Sequence, residues 1–354
     1  MLAILKREIK NYLKHPLFWI GVGIVVCGVY SNLSPYLGIH YLKPGETIVN
    51  DYPETVHDGD VYEGYVPSLP AERQYYFEKN VRELFMEHWE MTSAEADAVI
   101  DEIKGMDISE ACAYLEQQYN YVGAIYSYQI TAYRKGTADE INSYLAQVME
   151  KKPFSFYFSR KFADFAGLFM GFFAMIILSV LFMQDTRKHT YELLHTKPIG
   201  AGSYITGKIL GGLFVCLITL GILNLVFWVL CLTGTGDSGF EVRLSDFITA
   251  TCLYILPNML MIVCIYSLIS LLFKNPLPAV PLLFLYMVYS NMGDRNAEGL
   301  YDFCGKPLAI MVRFPGSFFD TAPPPNSLLN QSFLIAASAV IVLISTWLWK
   351  RRRM

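Results

Sequence analysis

The sequence is short of charged residues. Only 17% of its 354 residues are Asp, Glu, Lys or Arg, whereas soluble globular chains contain about 25%. Because 53% of the residues are hydrophobic, this shortage excludes both an ordinary soluble enzyme and a disordered chain. The formal net charge of −4 also excludes a basic nucleic-acid-binding protein, so no nucleic-acid partner is expected.

Paired cysteines are also missing. The sequence has no Cys-x-x-Cys pair and its histidines have no ligand spacing, so it supports neither a zinc site nor a thiol-redox pair. Five of the seven cysteines fall in apolar runs, where cysteine behaves as a small hydrophobic residue. The sequence leaves open whether the other two, Cys112 and Cys304, form a disulfide.

The charges that are present are unevenly distributed. Residues 33–161 contain 21 acidic and 11 basic side chains, a net charge of −10, while the remainder has 11 acidic and 17 basic side chains, a net charge of +6. An acidic segment within a basic, apolar frame indicates a membrane protein of several spans with one water-soluble insert.

Six apolar segments are candidates for membrane spans, each of which needs about 20 mostly apolar residues. They are residues 17–30, 162–183, 204–232, 247–273, 277–292 and 333–349. Thirteen basic residues lie at the termini and in the connections on one side, against four in the short connections on the other. Basic residues favour the cytoplasm, so both termini are predicted to be cytoplasmic and residues 33–161 extracellular, in the plasma membrane.

Residues 1–16 are predicted to form an interfacial amphipathic helix. Lys6, Lys10 and Lys14 share one face of it, and Pro16 ends it. In the insert, residues 33–70 read as irregular chain, and helices are predicted at 71–89, from Thr92, at 108–121 and at 138–150. The tyrosines of the insert fit a small aromatic core better than a surface that receives substrate.

A glycine-rich stretch at residues 202–209 imitates a phosphate-binding loop. It reads G-x-x-x-x-G-K but continues with Ile209 where a hydroxyl residue is required, and no strand precedes it. We therefore expect no nucleotide site in this stretch and no cofactor bound by this chain.

The segment 184–210 is the most informative part of the sequence. Residues 190–196 can form a short helix, Pro198 ends it, and Ser203 is a candidate cap for the helix that follows. A short helix braced between two spans can dock into a partner and transmit motion to both spans.

This segment resembles the inner loop of the permease subunits of ATP-binding-cassette transporters, in the type-2 permease superfamily. The matching residues are Glu192, Leu193, Leu194, Pro198, Ile199, Gly207 and Lys208. By having a large insert between its first two spans, the chain resembles the sodium, drug and peptide exporter branch of this superfamily. The insert itself matches no pattern.

The resemblance implies an all-α integral membrane protein and a subunit that is not itself an enzyme. The residues implied to couple to the ATPase are Tyr191, Glu192, Leu193, Leu194, His195, Thr196 and Pro198. Two copies of a separate ATPase, holding ATP and Mg, would drive a dimer of permeases, either identical or different. The cargo is expected to be a peptide or hydrophobic drug, with sodium ion as the runner-up.

Polar interruptions in the spans are candidates for a pathway or for contacts between helices. These are Asn224, Pro257 and Asn258, and no charged residue is expected in the middle of a span.

The predicted organisation is 1–16 interfacial helix, 17–32 first span, 33–161 extracellular domain, 162–292 four spans with a coupling loop at 184–203, 293–332 extracellular re-entrant or surface helices, and 333–354 last span and basic tail. The alternative is a membrane sensor whose insert binds a ligand.

Overall fold

The chain divides into two compact units. The computed structural model describes residues 2–186, 200–295, 301–302 and 305–353. The helical unit comprises Met1–Gly38, Lys152–Pro315 and Thr321–Met354. The insert unit comprises Ile39–Lys151 and Gly316–Asp320. The first piece lies within the predicted domain at 33–161, whereas the second is distant in sequence and was not part of that prediction.

The described secondary structure is almost entirely helical. The helices are α1 Leu2–Leu13, α2 Pro16–Leu33, α3 Pro70–His88, α4 Ser93–Ile103, α5 Ile108–Tyr119, α6 Ala124–Gln129, α7 Ala138–Lys151, α8 Phe154–Thr186, α9 Ala201–Gly234, α10 Leu244–Ala250, α11 Leu256–Phe273, α12 Ala279–Asn291 and α13 Ser327–Arg353. The strands are β1 Thr55–Val56, β2 Tyr65–Pro67, β3 Tyr133–Lys135, β4 Asp294–Arg295 and β5 Tyr301–Asp302.

Five segments of the described chain are long and apolar enough to cross a bilayer. They are Pro16–Gly38, Phe154–Val180, Ala201–Gly234, Leu244–Phe273 and Ser327–Arg351. The fifth predicted span forms only the shorter apolar helix α12, so the prediction of six spans stays a prediction. Pro16 begins α2 after an extended His15, as expected of a residue that suits the first helical turn.

Two helical segments form the centre of the helical unit. In the most apolar windows, 61% of Phe154–Val180 and 67% of Leu244–Phe273 are buried, against 28% of Pro16–Gly38 and 22% of Ser327–Arg351. Gly212 of α9 lies so close to Leu178 and Val263 that a Cβ there would meet both at 3.0 Å. Close approach at a glycine lets α9 pack against both central segments.

The insert unit has its own hydrophobic core, built from α3, α4, α5 and α6. The four predicted helices of the insert form with ends close to those expected, and Thr92 caps α4 in a reciprocal arrangement with Glu95. The core residues are Phe77, Val81, Phe85, Ala96, Val99, Ile103, Ala111, Cys112, Leu115, Tyr121 and Ala124. On α3, Val81 and Phe85 are buried, whereas His88 is exposed.

A three-stranded antiparallel sheet completes the insert unit. Strand β3 lies between β1 and β2, with Thr55 opposite Arg134 and Tyr65 opposite Lys135. The sequence predicted irregular chain at 33–70, because strands of two or three residues are too short to show an alternating pattern.

The segment Gly316–Asp320 is anchored to this sheet by polar contacts. The Tyr133 hydroxyl donates to Asp320 and accepts from Ser317 Oγ at 2.5 Å, while the Phe318 amide donates to Asp60. A piece of chain nearly 200 residues away in sequence thereby becomes part of the insert fold, which sequence patterns do not reveal.

Arg134 connects the sheet to two helices of the insert unit. Its Nη2 donates to Glu140 Oε1 at 2.6 Å, and its Nε lies 2.9 Å from Glu72 Oε2. The hydrogen bond from Arg134, followed by that from the Thr137 amide, lowers the pKa of Glu140 to about 2. The charged carboxylate therefore stabilises the folded insert.

We expect Glu140→Gln to destabilise the insert by about 1 kcal/mol, a value reduced because Glu140 is partly exposed. A lowered folded-state pKa contributes stability above the ordinary value of 4.5, and this contribution is lost as the pH falls towards 2. Limited proteolysis of the insert between pH 6 and pH 3 should show a weaker acid dependence in the variant. Glutamine keeps the hydrogen bond from Thr137, so an unchanged pH profile would contradict the role of the charge.

Candidate functional site in the membrane helices

The residues predicted to couple to an ATPase lie outside the described residues. These are Tyr191, Glu192, Leu193, Leu194, His195, Thr196 and Pro198. The helices that flank them are described: α8 ends at Thr186 and α9 begins at Ala201. The cap of α9 is Gly200 and not Ser203, because the helix begins three residues earlier than the sequence indicated.

Pro257 lies just after one wide helical turn. The chain runs from α10 through a π-helical turn, Thr251–Ile255, into α11. Proline has no amide hydrogen and its ring clashes with the preceding turn, so a regular α-helix would be interrupted here. Asn258 Nδ2 donates to Tyr254 O at 2.6 Å and so satisfies a carbonyl in the wide turn. In a membrane such freed backbone groups must be satisfied within the protein.

Asn224 clamps α9 to this wide turn. Its Nδ2 lies 3.0 Å from Thr251 Oγ1, its Oδ1 lies 3.1 Å from the same hydroxyl, and Nδ2 also donates to Leu220 O at 2.7 Å. Both side chains are buried, at 6% exposure each. Of the two sequence interpretations, this geometry fits the contact between helices for Asn224.

Asn258 retains an unused acceptor. Its side chain is 1% exposed, and its Oδ1 has no hydrogen-bond partner among the described residues. A buried amide oxygen without a partner is costly. Asn258 therefore remains the stronger pathway candidate of the two asparagines.

Two further hydroxyl groups connect α11 to other helices of the helical unit. The Tyr266 hydroxyl donates to the backbone carbonyl of Met175 in α8, and Ser338 Oγ of α13 lies 3.6 Å from Met261 Sδ. With the Asn224–Thr251 pair, α11 and the wide turn before it thus have polar contacts to α8, α9 and α13.

An ion pair between the buried Asp164 and the partly exposed Arg313 is the feature that the sequence interpretation missed. The Arg313 guanidinium donates to Asp164 Oδ1 and to Asn291 Oδ1, while the Phe314 amide donates to Asp164 Oδ2 at 3.1 Å. Asp164 is 5% exposed and lies about three turns into α8, well inside the apolar stretch. Its position within an apolar run was the signal available from the sequence.

This ion pair holds residues 305–315, which precede the segment Gly316–Asp320, against α8. Lys161 of α8 is buried, and its Nζ donates to Phe314 O at 3.2 Å, which adds a second cation to this contact. Burying charges is favourable only when partners satisfy them, and both oxygens of Asp164 have one. The predicted short helices do not form in the described residues 305–326, which consist of turns and extended chain.

The phosphate-loop imitation is part of a regular helix. Residues 202–209 lie in the first turns of α9, and Lys208 is 2% exposed. A phosphate loop needs backbone amides that are free to bind a ligand, whereas beyond the first turn a helix uses them internally. The stretch therefore has the geometry of a helix and not that of a phosphate loop.

These features define a multi-pass helical membrane protein in which several buried polar groups connect helices. The model of the family described as ABC-2 family transporter protein matches residues 2–349, and the chain belongs to that family. It is a membrane permease subunit of an ABC transporter, a transport component that is not itself catalytic. No curated protein and no solved structure shows significant similarity to the chain.

We expect Thr251→Val to weaken the clamp between α9 and the wide turn. The substitution keeps the shape but removes the hydroxyl, so the Asn224 amide loses its partner on the wide turn and keeps only Leu220 O of its own helix, at a cost of about 1 kcal/mol in a membrane. Thermal unfolding of the purified protein in detergent measures the effect.

Thr219→Val is the matched control for this substitution. Thr219 is also fully buried in α9, but its hydroxyl donates to Val215 O of the same helix. A loss of stability as large in Thr219→Val as in Thr251→Val would show that the contact between helices has no special role.

Proposed function

We propose that this permease subunit belongs to an ATP-driven exporter and forms the translocation pathway. The match to the transporter family over residues 2–349 is the observation that carries the proposal. Energy comes from a separate ATPase, present in two copies and holding ATP and Mg. Two permeases, identical or different, complete the complex. The family match gives no support to the alternative of a membrane sensor.

The coupling helix is proposed at residues 192–196. This segment connects α8 directly to α9, so a displacement there acts on both helices. Helix α8 packs against α2, α11 and α12, and α9 packs against α1, α11 and α13. Closure of the ATPases on ATP would move the coupling helix, and these packed helices would rearrange the pathway.

The ring pair Tyr204–Trp349 is suited to pass on such a motion. The two rings stack with centroids 4.0 Å apart and an interplanar angle of 23°. Tyr204 is in the first turn of α9, close in sequence to the coupling segment, and Trp349 is near the end of α13. A shift at the start of α9 thus acts on α13 through direct contact.

The proposed cargo is a peptide or a hydrophobic drug. Sodium ion is the alternative, and it would need free carboxylate or carbonyl oxygens along the pathway. Asp164, the buried carboxylate of α8, has both oxygens engaged by Arg313 and the Phe314 amide. Asn258 Oδ1 is an unpartnered carbonyl oxygen at the pathway candidate, but a bare cation needs several oxygen ligands, which favours the larger, less charged cargo.

The proposed orientation places both termini in the cytoplasm and residues 33–161 outside. It rests on the excess of basic residues at the termini and around the coupling segment. The charge of the insert does not decide the orientation, because long segments translocate largely regardless of their charge.

We expect the double variant Glu192→Ala and Leu193→Ala to lose stimulation of the ATPase while inserting normally into the membrane. Glu192 would lose its pairing with basic groups of the partner, and Leu193 its apolar contact. Copurification with the ATPase and ATP turnover in proteoliposomes measure the effect. The control Glu241→Ala removes an exposed carboxylate paired with Arg243, and equal losses in both proteins would contradict the assignment.

We expect Ser93→Cys to react with an impermeant maleimide on intact cells. Ser93 is exposed at the start of α4. Native Cys112 gives little background, because burial raises the pKa of its thiol to about 11. Labelling only after the cells are permeabilised would reverse the proposed topology.

A further inference from the structure

The insert unit contains a cavity between the end of α3, the start of α4 and the end of α5. Its volume is about 420 Å³, which is in the range of small-molecule sites. The lining residues are Trp89, Glu90, Met91, Glu95, Ala98, Val99 and Tyr119. Aromatic rings and carboxylates thus face one open space.

The aromatic wall of this cavity is held rigidly. Trp89 Nε1 donates to Tyr119 O at 3.2 Å, and the Trp89 ring packs edge-on against Phe85 at 4.9 Å and Tyr121 at 5.6 Å. Despite these contacts Trp89 remains 36% exposed. A fixed and partly exposed indole is a ready surface for a cation, since tryptophan is the strongest cation–π partner.

The second aromatic residue is fixed in the same way. The Tyr119 hydroxyl donates to Glu102 Oε2 at 3.1 Å, and its ring lies 5.3 Å from that of Phe85. The hydroxyl is therefore occupied by Glu102, and Tyr119 contributes mainly its ring to the cavity.

The opposite wall is anionic. Glu95 accepts hydrogen bonds from the Thr92 amide and hydroxyl at 2.8 and 2.7 Å, both through Oε2. These bonds lower the pKa of Glu95 and hold it as a carboxylate. None of the described residues at the cavity wall is basic, and residues 70–130 carry 12 acidic and 4 basic side chains.

Glu90 occupies a backbone conformation that does not suit it. Its φ angle is 53°, in the left-handed region where glycine is favoured at the end of a helix. Folding alone would favour a glycine at this position, and the glutamate found there therefore costs stability.

We propose that this cavity binds a small organic cation with an apolar or aromatic body. The rings of Trp89 and Tyr119 would cover the apolar part and face the positive charge, and Glu90 and Glu95 would neutralise it. The proposal adds a ligand site to the insert and does not depend on export, because binding can be measured with this chain alone.

Benzyltrimethylammonium is the probe for this site. Binding to the purified full-length protein in detergent is measured by isothermal titration calorimetry, beside benzyl alcohol and benzenesulfonate, which carry the same ring without charge or with a negative charge. We expect the cation to bind at least about tenfold more tightly than either analogue. Equal affinities for the three compounds, or no binding of the cation, would overturn the proposal.

Two variants locate the binding in the cavity. Glu95→Gln keeps the capping arrangement with Thr92 and removes only the charge, and Trp89→Leu keeps an apolar side chain but removes the ring. We expect each to weaken binding of the cation by about threefold to tenfold. The control Glu110→Gln changes an exposed carboxylate of α5 that is not at the cavity wall, and it should leave the affinity unchanged.

Glu90→Gly separates binding from folding. Because glycine suits the backbone conformation, we expect a higher melting temperature together with weaker binding of benzyltrimethylammonium. Thermal unfolding of all variants shows whether a loss of affinity is only a loss of structure. Unchanged affinity in Glu90→Gly and Glu95→Gln, with both proteins folded, would refute the site.

Discussion

The need to satisfy every buried polar group within the protein governs the helical unit. A bilayer offers no water to hydrogen bond with exposed amides, and lipid tails give apolar helices little reason to associate. Close packing and a few polar contacts must hold the helices together. The wide turn before Pro257 shows both demands: Asn258 satisfies a carbonyl of that turn, and Thr251 contacts Asn224 of the neighbouring helix.

The same constraint explains why the charged groups lie where they do. The buried Asp164 pairs with the partly exposed Arg313, and Asn291 and the Phe314 amide complete their hydrogen bonds. Removing one partner would leave a buried charge, so the segment 305–315 is held to α8 by more than apolar contact. In this ABC permease subunit, such contacts fix the helices on which the proposed coupling loop would act.

The insert unit obeys different rules because it has a hydrophobic core of its own. Its helices bury apolar faces as in a soluble domain, and its surface carries most of the acidic residues of the chain. The sheet and the segment Gly316–Asp320 belong to the same unit. At its edge, a rigid indole and two carboxylates remain available, which is why the proposed ligand is a cation.

Periodicity and composition alone determined the apolar helices, the helices of the insert, the cap at Thr92 and the helix break at Pro16. These features depend on neighbouring residues, so a single sequence contains the information. Tertiary structure alone decided which polar residues meet. The pairs Asn224–Thr251, Asp164–Arg313 and Tyr133–Asp320 join residues 27, 149 and 187 positions apart, and no local pattern specifies such partners. The short strands and the wide turn belong to the same class, because pairing and packing with distant chain form them.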